Sequence, residues 1–202
     1  MIAKAQSAPV RCPWAGGDIE YRRYHDEEWG VPLTTDDALF EKLVLEGFQA
    51  GLSWLTILRK RENFRRAFAR FDAERIARFK RRDVERLMKD EGIIRNRAKI
   101  EATIDNAKAY AKLSERTSLK AFLWGFLDQG PVQNRPKTMS DIPAETETSK
   151  RISKALKAGG FRFVGPTTMY AFMQSVGMVN DHLLSCHRHG PCAKLQLAKV
   201  KL

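Results

Sequence analysis

Residues 53–71 read SWLTILRKRENFRRAFARF, with Leu55, Leu58, Phe64, Phe68 and Phe71 at helical spacing and Lys and Arg between them. Wound at 3.6 residues per turn, these apolar side chains share one face; as a strand they would scatter over both. The same period returns along most of the chain. Leu39, Phe40, Leu43, Val44 and Gly47 share an arc over residues 36–50, and Ile100, Ile104, Ala107 and Tyr110 share one over 95–113. Shorter helical stretches start at Asp72 (DAERIARF) and Asp83 (DVERLMKD), SLKAFLWGFL runs to a stop at Gly130-Pro131, and helices resume over 148–158 and 166–177. Thr35 or Asp36, and Ser53, stand where N-caps belong. Period-2 alternation is missing, so the expected fold class is all-α.

The organisation is simple. Residues 130–147 (GPVQNRPKTMSDIPAETE) are the one long proline-rich polar stretch. They read as a loop across the surface, because residues 148–202 are too few to fold alone. One helical domain over 1–202 is expected, with 1–10 and 191–202 as loose tails. A hydrophobic fraction of 43% suffices for a core at this length. No apolar run is long enough to span a membrane, and the N-terminal stretch lacks the apolar centre of a secretory signal. An intracellular, cytoplasmic protein with no membrane partner is therefore expected. The net charge of +12 favours a polyanionic partner, a nucleic acid or an anionic surface.

Residues 156–177 (LKAGGFRFVGPTTMYAFMQSVG) place Gly159-Gly160 at the end of one helix and Gly165-Pro166 at the start of another. Proline suits a first helical position, and glycines let the backbone approach a ligand closely. The free N–H groups of that second helix can bind an anion. An ordinary αα-corner has the same outline. The charge and the Thr167-Thr168 pair favour a helix-hairpin-helix gripping a DNA phosphate, with Gly165, Thr167 and Thr168 as the contacts.

Three cysteines, Cys12, Cys186 and Cys192, lie near the two ends of the chain. In a reducing compartment such thiols are metal ligands or idle more often than a disulfide. Cys12-x(12)-His25 at one end and His182-x(3)-Cys186 at the other offer two sulfurs and two imidazoles, a donor set for a closed tetrahedral Zn²⁺ site. Such a site would staple one terminal segment to the other. His187, His189 and Cys192 crowd the same region and could replace a ligand.

Glu46 sits at the edge of an apolar helical arc, beside Leu39 and Leu43. An inward carboxylate costs several kcal/mol unless it is paired or used. Bending outward to water or to an arginine is the commoner fate. Trp54 follows just after a glycine turn, while Trp14, Tyr21, Tyr24 and Trp29 cluster at irregular spacing near the N-terminus. Aromatic faces with one carboxylate suit a flat cation.

RCPW, YHDEEWGVP, LVLEGFQAGLSW, RENFRRAF, GIIRNRAKI, KALKAGGFRFVGPTTMYAFMQSVGMVNDH and Cys186, in this order and spacing, resemble the DNA-3-methyladenine glycosylase I family over about Cys12 to Cys186. The resemblance implies a helix-hairpin-helix glycosylase fold with a structural zinc on Cys12, His25, His182 and Cys186. His187, His189 and Cys192 would then not be ligands. It implies a base pocket of Tyr21, Tyr24, Glu46 and Trp54, with Trp14 nearby, and leaves Asp26, Trp29 and Asp181 structural. The activity implied is hydrolytic release of 3-methyladenine from alkylated double-stranded DNA; apart from the resemblance, a monomer is expected. Gly165-Pro166-Thr167 has no lysine for a Schiff base, so strand cleavage is not expected. The rival from another class is a non-catalytic, zinc-stapled DNA-binding or damage-sensing module, which would need no inward Glu46.

Overall fold

A computed structural model of the chain describes residues 8–199. Its helices are α1 (Ile19–Glu27), α2 (Asp36–Gln49), α3 (Trp54–Ala67), α4 (Ala73–Ala77), α5 (Arg81–Lys89), α6 (Arg97–Ser114), α7 (Leu119–Trp124), α8 (Glu147–Ala158), α9 (Pro166–Ser175) and α10 (His189–Lys199). The fold is mostly helical, as expected. Two short strands depart from the all-α expectation: β1 (Val132–Gln133) pairs in parallel with β2 (Val179–Asn180). Two residues carry no readable alternation, so only tertiary contact reveals the pair.

The centre of the molecule is α2. Leu39, Phe40, Leu43, Val44, Leu45 and Phe48 are all buried, and they surround the helix rather than forming one stripe. Helices α3, α6, α7 and α9 pack around it. Lys42 and Glu46 are consequently drawn into the interior with their apolar neighbours.

Local chemistry sets most boundaries. Ser53 accepts the N–H of Thr56 (3.2 Å) at the start of α3, and Asp72 accepts that of Arg75 (2.9 Å) at the start of α4. Asp36 caps a distant helix instead of its own, accepting the N–H groups of Leu119 (3.0 Å) and Lys120 (2.8 Å) at the start of α7. The helix expected to reach Phe71 stops at Ala67. Ala69, Arg70 and Phe71 take left-handed φ values of 50°, 57° and 60°. That turn keeps Phe64, Phe68 and Phe71 in near-parallel ring contact inside the core.

The C-terminal segment also departs from expectation. Residues 191–199 belong to α10 and are not a loose tail: Cys192 and Gln196 are fully buried, and Gln196 Nε2 donates to Gly30 O (2.9 Å). Too few apolar residues mark this helix, because a buried amide and thiol dock it on backbone carbonyls. Residues 1–7 and 200–202 of the expected tails lie outside the described residues.

Helices α8 and α9 form the hairpin. Gly160 (φ +93°) ends the first arm, and Asn106 of α6 clamps the turn by accepting from Arg162 N (2.7 Å) and donating to Arg162 O (3.1 Å). The described buried apolar residues form a main core around α2 and a smaller cluster of Cys12, Tyr24, Trp29, Leu58, Leu183 and Cys186.

Candidate functional site

Between the two cores lies a cavity of about 370 Å³. Trp14, Tyr21, Tyr24 and Trp29 of the N-terminal segment form one wall, with Trp54 of α3 beside them. Glu46 and Gln49 of α2 contribute polar groups, and α9 supplies Thr167, Tyr170, Ala171, Gln174 and Ser175. Trp14 and Tyr21 have ring centroids 5.0 Å apart, and Tyr24 and Trp54 5.4 Å. All five residues assigned to the pocket from the sequence therefore line one cavity.

Glu46 is 3% exposed. Burial raises its pKa to about 7, opposed by the charge of Lys42 and by the Ser175 hydroxyl. Lys42 lies one turn earlier on α2, its Nζ 5.0 Å from the Tyr24 ring centroid and 4.8 Å from that of Trp54. Trp54 Nε1 is buried with no acceptor among the described residues.

Sequence reasoning missed several lining residues. Met139, Ile142, Pro143 and Ala144 close the cavity from within the 130–147 stretch, so this loop walls the site as well as crossing the surface. Nothing local in a proline-rich polar segment indicates which side faces inward. Tyr170 and Gln174 had a weak signal, since i and i+4 on α9 share a face, whereas Ser175 had none. Trp29, expected to be purely structural, lines the cavity and also meets His182 edge-on at 4.6 Å between ring centroids.

Beside the aromatic wall, Cys12, His25, His182 and Cys186 converge. All four are buried, and their ligand atoms lie within 4.8 Å of one another. Cys186 Sγ is 3.4 Å from His25 Nε2 and 3.5 Å from His182 Nδ1, and Cys12 Sγ is 3.7 Å from His182 Nδ1. His182 and Cys186 sit in the irregular segment between β2 and α10. The outer ring nitrogens are held as well: His25 Nδ1 lies 2.8 Å from Asp26 Oδ1, and His182 Nε2 lies 3.1 Å from Trp29 O. Asp26 thus orients His25 while pairing with Arg11 (2.7 Å). Cys186 is held well below the usual thiol range, first by the neighbouring Cys12 and then by His182 and His25. Cys12 is raised by Cys186 and by burial. The other candidates lie outside the group. His187 and His189 contact the carbonyls of Val10 and Asn134, and Cys192 Sγ faces Trp29 O.

At the hairpin, Gly165 is the N-cap of α9 and supplies no side-chain cap. A Cβ on Gly165 would meet nothing within 4 Å, so its backbone lies open to an approaching group. Thr167 is exposed and lines the cavity, and Thr168 is half-buried. Asp181 is buried, and accepts from Tyr170 (2.7 Å), Gln174 (2.7 Å) and Asn134 (2.7 Å). Its oxygens are thereby occupied in fixing two cavity-lining side chains.

The methyladenine glycosylase family profile matches residues 14–189. This chain belongs to the methyladenine glycosylase family. A relative from Haemophilus influenzae, DNA-3-methyladenine glycosylase, is 48% identical over 184 residues, covering 91% of this chain and 97% of its own length. A crystal structure of a 3-methyladenine DNA glycosylase I superposes with a TM-score of 0.88 at 48% identity, covering 89% of this chain and all of that one. The Staphylococcus aureus 3-methyladenine DNA glycosylase I, whose structure describes 3-methyladenine recognition, gives a TM-score of 0.84 at 38% identity, with 88% and 95% covered. The glycosylase match spans the whole cavity lining, whereas most of α10 lies beyond it.

Proposed function

We propose that this chain is a DNA repair glycosylase that releases 3-methyladenine from alkylated duplex DNA by hydrolysing the bond between base and sugar. The observation that carries this reading is Glu46, a buried carboxylate in an aromatic-walled cavity that the start of α9 also lines. The hairpin and the cavity therefore share one edge of the molecule. A duplex held by the amides of Thr167 and Thr168 can deliver an extruded nucleotide to the cavity. Extrusion costs a few kcal/mol, least for a damaged base.

Inside, Trp54, Tyr21 and Tyr24 offer faces for stacking on the base, with Trp14 behind Tyr21. Glu46, when ionised, accepts from its amino edge. Methylation at N3 gives the base a positive charge and weakens its bond to the sugar. The base leaves neutral, so no strong general acid is required. Water completes the reaction at C1′ of an oxocarbenium-like sugar. The hairpin offers no lysine between Gly165 and Met169, which supports base removal without strand cleavage.

Cys12, His25, His182 and Cys186 fit a structural Zn²⁺. A tetrahedral centre with bonds of about 2.3 Å to sulfur and about 2.0 Å to nitrogen sets neighbouring ligand atoms about 3.5 Å apart. The sulfur–nitrogen distances of 3.4, 3.5 and 3.7 Å lie close to that. Leu183 N and Arg188 N each donate to one sulfur at 3.4 Å, which favours thiolates. The ion would cross-link the two ends of the chain and hold the wall that carries Tyr24 and Trp29.

The test is release of free bases from methylated duplex DNA by the pure protein, identified by chromatography. Release of 3-methyladenine, lost in Glu46→Gln, is expected. Binding of the duplex with no base released would overturn the reading in favour of a binding module. Nicking of the abasic product by the pure protein would overturn the monofunctional assignment.

A further inference from the structure

We propose that Lys42 is a positioning residue for Glu46: one helical turn away on α2, its buried ammonium braces the Tyr24 and Trp54 rings from behind and favours the carboxylate form of Glu46. The inference concerns a residue outside the cavity lining, and only its consequence for excision rests on the proposed glycosylase activity.

Lysine is rarely buried without a partner. Lys42 is 6% exposed, yet among the described residues no carboxylate oxygen lies within 4.0 Å of its Nζ. What surrounds it is aromatic. The two rings under its Nζ are cavity walls in contact with each other, so the ammonium supports them from behind through cation–π attraction.

The neighbouring charges are already paired. Glu28 of α1 is bridged by Arg61 of α3 (3.0 Å), and Glu41 of α2 by Arg65 of α3 (2.7 Å). Glu46, one helical turn from Lys42, is the acid left without an ion pair on this side of α2. The groups that face Glu46 from other elements are the phenols of Tyr21 and Tyr24 on α1 and the hydroxyl of Ser175 on α9, none of them cationic. Burial drives the carboxylate toward its neutral form, and Lys42 opposes this. A unit charge one turn away in a partly buried site is worth about one to two pH units on a carboxylate's titration. Without it, Glu46 would be mostly protonated at pH 7 and would present a hydroxyl where the base needs an acceptor.

The experiment is a titration of the whole protein carrying ¹³C-labelled glutamate carboxyls, with the Glu46 resonance assigned by its absence in Glu46→Gln. Lys42→Met is expected to raise the Glu46 midpoint by about one pH unit or more, and Lys42→Arg to restore it. An unchanged midpoint in folded Lys42→Met overturns the proposal. The reciprocal measurement needs no change at Lys42: its ¹³Cε resonance should titrate lower in Glu46→Gln than in the wild type. No difference there overturns it equally. In the excision assay, the acid limb should move with the Glu46 midpoint. If the wild type releases no base, the functional reading fails, while the two titrations still decide the role of Lys42.

Discussion

Two clusters of buried polar groups flank the same aromatic wall, and they are built on opposite principles. In the Cys12–His25–His182–Cys186 group the donors all face one another, and each ring nitrogen that points away has its own partner in Asp26 or Trp29. At the cavity, Glu46 in its lining and Lys42 behind its aromatic wall are also buried, but neither has an ion pair among the described residues; rings and a charge one helical turn away are their main company. The first arrangement is closed, and suits a permanent occupant that holds two chain ends together. The second keeps a carboxylate dry with no cation in contact, at a cost in stability, which suits a ligand that comes and goes. A buried ionisable group without a partner marks a functional position more strongly than one that is fully satisfied.

The largest break in this comparison should come from Glu46→Gln. Excision is expected to fall about 100- to 1,000-fold, the range for loss of one aligned electrostatic contact, while duplex affinity stays within a few-fold because phosphate contacts dominate it. Single-turnover rates beside a binding isotherm would read both, and equal losses would point to misfolding. Cys12→Ser tests the other cluster. It should abolish stoichiometric zinc and lower the melting temperature by about 5–10 °C, as expected for a loss of about 2–3 kcal/mol at this chain length. Unchanged metal content would exclude Cys12 as a ligand.

The cost of the open cluster should itself be measurable. Glu46 titrates near 7 in the folded chain, above its ordinary value of 4.5. Between those values the native state holds more protons than the unfolded state, so this group makes stability fall as pH rises through the window, and the full penalty is present above it. Glu46→Gln should therefore come close to the wild type near pH 4.5 and exceed it by about 3 kcal/mol at pH 8, in denaturant titrations at the two pH values. A constant difference would mean that burial does not perturb this carboxylate. The smallest effect should be that of Asn106→Ala, which removes the clamp on the hairpin turn. Stability should drop by about 1–2 kcal/mol and duplex affinity several-fold, with the rate from saturated complex unchanged.

Much of this molecule is readable one segment at a time. Helical periodicity locates α2, α3, α6, α8 and α9, because an apolar stripe is a local property of sequence. Gly165-Pro166 announces the start of α9, and the Cys-His spacings narrow the donor set, because backbone freedom and ligand chemistry belong to residue types. The inward carboxylate at Glu46 is legible for the same reason: its helix carries an apolar arc that includes it. The rest is decided by which surfaces meet. Met139 and Ile142 face the cavity only because β1 pairs with β2, some 47 residues further on, and draws the loop inward. Helix α10 is ordered by Gln196 reaching Gly30, a contact across 166 residues that no periodicity encodes. Lys42 reads as an ordinary solvent-facing lysine until α1 and α3 bring Tyr24 and Trp54 over its ammonium. Sequence by itself determines the helices and the chemical types available for a site. Tertiary structure decides which polar groups lose water, and desolvation is what turns a carboxylate and a lysine on one helix into a tuned pair.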